Sequence, residues 1–220
     1  YNDIMARDKT RLDSGGLISV AKSVSHINVN KSDATVAIGD NATVTSDIGD
    51  INAGARANVS LDSRAQANVY GVAGAPSGEA YANYTGTNAA TVGANALVQA
   101  NDGSVLLAGG QSSSGNATRI DANAAVNLWN KTAIPIDTDP DAQANIVNNA
   151  RVTLASGSRV ETAEDIALYA DKGLVTAQAK GIGKDLYREA LAAAASGISN
   201  LFGGGDVSFD VIGGSTSVGG

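Results

Sequence analysis

The chain has no cysteine, and its 220 residues include one Trp, two Phe, three Pro and one His. Without cysteine there are no disulfide staples and no thiolate metal sites. Aromatics are only 4%, and the 43% apolar content rests largely on Ala and Val, which fill thin spaces well and thick cores poorly. A single histidine, His26, builds neither a triad nor a zinc cluster without further ligands, and it is expected on the surface of a strand. Charged residues are 17%, too few for a typical disordered tail, and a net charge of −7 argues against nucleic acid as a partner. No stretch is apolar and long enough to span a bilayer, so no membrane insertion is expected within this segment. With Tyr1 first and no signal peptide visible, the sequence reads as an internal piece of a longer chain.

What is abundant is a repeated short pattern, Gly-x-Ile/Val followed by alternating small and apolar residues. It occurs at Gly16 to Val20, Gly49 to Ala53, Gly103 to Leu107 and Gly205 to Phe209, with a variant at Glu164 to Leu168. The segments before several copies also match: Ala34 to Val44, Ala90 to Val98 and Ala150 to Val160. Strict alternation sends every second side chain inward. Arg151 to Ala170 shows the unit most cleanly, as three short strands and three turns over about 20 residues. Such a coil buries its inner face only by stacking on its neighbours, with parallel strands about 4.8 Å apart. The expected fold is all-β: a right-handed parallel β-helix, with residues 1–220 forming one solenoid segment.

The anchors lie 33, 54, 61 and 41 residues apart, far more than one such coil. The surplus residues are expected to leave as β-hairpin excursions at 55–87 and 116–149. Gly74 to Gly78 would turn the first and Pro135 to Pro140 the second. The last surplus, 184–202, reads as a flanking α-helix with Asp185 as N-cap and Tyr187, Leu191, Ala194, Ile198 and Leu201 on one face.

The coil from Val152 to Ala170 resembles the repeats of filamentous-haemagglutinin-like adhesins, and the excursion-bearing blocks resemble those of leukotoxin-type filamentous adhesins. The resemblance covers most of Gly15 to Ala170. It implies a right-handed parallel β-helix, a secreted bacterial protein and a role at the cell surface, and it carries over no catalytic residue.

The residues themselves point to no catalytic or cofactor site. Asp40, Asp47, Asp50, Asp62 and Asp102 fall in turns, where Asp usually caps its own backbone. Asp137, Asp139 and Asp141 are a weak calcium candidate, as is the group Glu161, Glu164 and Asp165, with turn formation and solvation as the plainer role. Trp129, Tyr70, Tyr81 and Tyr84 fall in the excursions, where each would stack on a sugar ring or pack against a neighbouring arm. The expected function is a non-enzymatic structural or adhesive segment of an extracellular filament. Its partners would be carbohydrate, a cell surface or other copies of itself. The alternatives are a self-assembling fibre subunit, a polysaccharide-active β-helix enzyme and a toxin segment.

Overall fold

A computed structural model describes residues 1–186, 207–212 and 217–218. The chain makes successive passes. The first holds β1 (Asn2–Ile38), β2 (Thr43–Ser46) and β3 (Ile51–Ala55). The second holds β4 (Ala57–Val92), β5 (Leu97–Ala100) and β6 (Val105–Gly109). The third holds β7 (Arg119–Pro135), β8 (Asp139–Leu154), β9 (Arg159–Thr162) and β10 (Ile166–Ala170). A further pass supplies β11 (Leu174–Asp185), β12 (Val207–Ile212) and β13 (Ser217–Val218).

All ten strand pairings among the described residues are parallel, and each joins one pass to the next. β3, β6 and β10 form one small sheet, and β2, β5 and β9 form another. The remaining seven strands form the large sheet. The fold is therefore almost entirely β, built from parallel sheets.

The long strands run out and back. In β1 the side chains of Thr10 and Ser23 hydrogen-bond at 2.7 Å, and Ser19 bonds Ser14 at 2.8 Å. Asn2 reaches Ser32 at 3.1 Å. These contacts fold β1 about Gly16 and Leu17, and Gly16 pairs with Gly71 in β4. Gly71 holds φ +133, and a Cβ there would lie 1.8 Å from the Gly16 carbonyl oxygen, so this reversal requires glycine.

Between the arms lies a thin core set by alternation. Ile4, Val59, Ile120 and Val175 form one inward column across four passes, and Ala6, Leu61, Ala122 and Ala177 form the next. Val29, Tyr84 and Ile146 form a column on the return side. A Cβ on Gly78 would stand 2.8 Å from Val126, so glycine there lets the facing arm close in. The second core holds Ile38, Val92 and Leu154 beside Val98, Val105 and Leu107.

Two expectations are corrected. The repeat is not a coil of some twenty residues: pairing offsets run from Val44 to Val98 to Val160, and from Ile51 to Val105 to Ile166. Ile51, Val105 and Ile166 do stack, but Ile18 pairs with Ala73 at an arm tip and Val207 pairs with Ala142. The excursions 55–87 and 116–149 are not β-hairpins. Each arm spends both its edges on the passes before and after, as β4 does on β1, β7 and β8, so the arms face each other through side chains. The first pass takes the same path over Asn2–Ile38, where no excursion was expected. As for the helix expected over 184–202, Lys184 and Asp185 close strand β11, and residues 187–202 lie outside the described residues.

The turn aspartates also differ from expectation. Asp40 accepts the Ala94 backbone N–H at 2.8 Å and Asp50 accepts that of Ser104 at 2.8 Å, both one pass away. Asp47 accepts from the Asn101 amide at 3.0 Å. These carboxylates tie pass to pass.

Candidate functional site

With the inner columns packed, the outer columns of the arms are what the molecule presents. Two clusters there contain the residues singled out from sequence. The first lies near the arm tips. Register places Asn68 beside Trp129 and Tyr70 beside Lys131. Lys131 Nζ sits 3.8 Å from the Trp129 ring centroid and 5.0 Å from that of Tyr70. One ammonium thus clamps two aromatic rings from successive passes, a cation–π contact. The Trp129 indole N–H is buried without a hydrogen-bond partner. Of the two roles open to Trp129 and Tyr70, packing between passes is the one this geometry contains.

The second cluster lies on the return arms. His26 and Tyr81 are register partners, and their rings stack with centroids 4.3 Å apart and 5° between planes. Glu79 receives Lys22 Nζ on one oxygen and lies 3.5 Å from His26 Nε2 with the other. The Tyr81 hydroxyl donates a short hydrogen bond to Asp141, which Gln143 also approaches at 3.4 Å. Beside them runs an amide ladder: Asn83 donates to Asn28 at 2.7 Å, and Asn145 donates to Asn83 at 2.9 Å. The surface is a continuous array of amide, carboxylate, imidazole and phenol groups, suited to multidentate hydrogen bonding.

His26 is on a strand surface, as expected, and Tyr81 faces outward. Tyr84 does not: it is 1% exposed and belongs to the core. Parity explains this, because three residues along a strand reach the opposite face. Asp137, Asp139 and Asp141 do not converge on a cation. Asp137 accepts its neighbour Thr138 N–H at 2.8 Å, Asp141 is taken by Tyr81, and no group among the described residues is arranged to hold a metal ion. Glu79 and Lys22 were missed. The 55-residue offset that pairs His26 with Tyr81 also sets Val24 beside Glu79, and it was available only to a reader holding the true period.

Comparison with protein-family models, curated proteins and solved structures finds no match. The reading of the surface therefore stands on its geometry.

The Tyr81–Asp141 bond offers a direct test. The carboxylate beside it, then partial burial, push the Tyr81 hydroxyl up from 10.0 to about 12. A proton held more tightly in the folded chain than in the unfolded one stabilises the fold below pH 10. That contribution is lost as pH rises from 10 through 12. Burial also raises the Tyr84 hydroxyl, so ultraviolet titration of tyrosinate is expected to show two late-ionising tyrosines, and Asp141→Asn is expected to return Tyr81 alone toward 10.0. Two late steps in the variant would contradict the bond.

Proposed function

We propose that this chain is a segment of a right-handed parallel β-helix in a large secreted bacterial surface filament, akin to the filamentous-haemagglutinin-like adhesins. It acts there as a non-enzymatic structural and adhesive element that attaches to a cell surface or matrix. The observation that carries this reading is the register itself. Each pass lies on the next with outer side chains in columns, so a thin chain becomes a stiff rod with a repeating display surface. The test is attachment. Beads coated with the purified fragment are expected to bind host cells or extracellular matrix, and antibody to the fragment is expected to label the surface of intact producing cells. Beads that bind no better than albumin-coated ones, or label confined to the cytosol, would end the adhesive reading.

A further inference from the structure

The outer face of the outgoing arms is strongly basic in a protein that is acidic as a whole. By register and alternation it carries eight of the 15 Lys and Arg residues but only four of the 22 acidic ones. Lys9, Arg64, Ala125 and Lys180 form one column across four passes. At about 4.8 Å per pass, the two lysines lie about 14 Å apart along the stack. Three long side chains surround one methyl, so Ala125 leaves a notch.

That notch is a groove of about 240 Å³. Its lining includes the three cations and the amides of Gln66 and Asn127, with Ile182 at one side, and it contains no carboxylate. Neither Lys9 nor Lys180 has an ion-pair partner among the described residues. Arg64 gives Nε to Asp62 at 2.8 Å. Asp62 and Asp8 line the neighbouring depression, which shares Lys9 and Arg64 with this groove.

We propose that this groove binds a segment of a linear acidic polysaccharide of the polyuronate class, lying along the stack. Its carboxylates meet Lys9, Arg64 and Lys180, while Gln66 and Asn127 hydrogen-bond sugar hydroxyls. Cations spaced along one column, with the amides of Gln66 and Asn127 side by side in the next, match a chain that carries both carboxylates and hydroxyl groups along its length. Single-stranded nucleic acid is disfavoured, because the lining offers no aromatic ring on which a base would stack. The inference deepens the adhesive reading and rests on it for its biological meaning, but its test uses purified components only. Failure to bind polyuronate in a protein that still holds cells would sink the groove and leave adhesion standing.

The probe is polygalacturonate in affinity electrophoresis, with neutral dextran and single-stranded DNA as references. Wild-type protein is expected to be retarded by polygalacturonate and not by dextran. The double variant Lys9→Gln/Lys180→Gln is expected to bind about tenfold more weakly. Ala125→Leu, which fills the notch and leaves every charge in place, is expected to weaken binding by a similar factor. Lys31→Gln, off this face, is expected to change nothing. Each variant is compared only after its circular dichroism matches wild type. No retardation of wild type, equal loss with Lys31→Gln, or tighter binding of DNA than of polygalacturonate would overturn the proposal.

Discussion

Replacing Gly110 with alanine is expected to remove about 3–5 kcal/mol of stability, a large share of the about 5–15 kcal/mol that holds a typical domain folded. Two costs combine. Gly110 holds φ +92, a conformation that costs an L-residue about 1–2 kcal/mol. A Cβ there would also lie 1.6 Å from the Asp171 carbonyl oxygen and 3.3 Å from the Ala150 side chain. The blocking atom is backbone in the next pass. That backbone is held on both sides, since the Asp171 N–H bonds Gly109 and the Leu174 N–H bonds Thr118. Relief would require prying two passes apart.

Gly49 supplies the control. It holds φ +90, nearly the same backbone angle, but no atom lies within 4 Å of its would-be Cβ. Gly49→Ala should therefore cost only the conformational part, about 1–2 kcal/mol. Urea denaturation of the two variants separates backbone strain from the closeness of stacking. Equal losses would mean that the passes are not pressed together at Gly110.

That closeness also explains what could be read from the sequence and what could not. Alternation placed Val152, Leu154, Val160 and Leu168 on inner columns, because facing in strands depends only on local parity; Ile166 stacks on Val105 by register but is 48% exposed. The period was harder. The distances between Ile51, Val105 and Ile166 were the pass length itself, but they were divided into a short coil plus surplus, since the arms alternate just as the coil does. The blocks before these anchors were matched at Val92 to Val152, whereas Val92 pairs with Leu154. A slip of two residues keeps every side chain on its own face, so no hydrophobic signal could expose it.

Polar residues carried the missing information. Asn58 bonds Asp3 and Asn68 bonds Asp13, both at a separation of 55, and Asn123 bonds Asp62 at 61. A hydrogen bond between side chains tolerates no slip of two. A search for Asp or Asn recurring at a common long spacing would have found the passes. It would also have joined Lys9 to Arg64, and His26 to Tyr81, which along the sequence are isolated charges and rings. Tip packing around Trp129 and Lys131 was not legible, because it depends on where each arm reverses.

The buried polar ladder should show the second large effect. Asn88 and Asn148 are both fully buried. Asn88 donates to Asn148 at 3.0 Å, and Asn148 passes the chain on to the Lys172 carbonyl at 2.9 Å. Asn148→Ala deletes the middle of this relay. It leaves the buried Asn88 amide without that partner, and an orphaned buried group costs about 1–3 kcal/mol, whereas Lys172 is exposed and water reaches it. A loss of about 1–3 kcal/mol is expected in chemical denaturation. The Asn145→Ala change on the outer ladder should cost less than about 1 kcal/mol, because water replaces the lost bond. Removing both inner partners, Asn88→Ala with Asn148→Ala, should cost clearly less than the two single losses added, since one mismatch disappears. Strict additivity would mean that the two amides do not depend on each other, and the inner ladder would then not be what holds the second pass in register on the third.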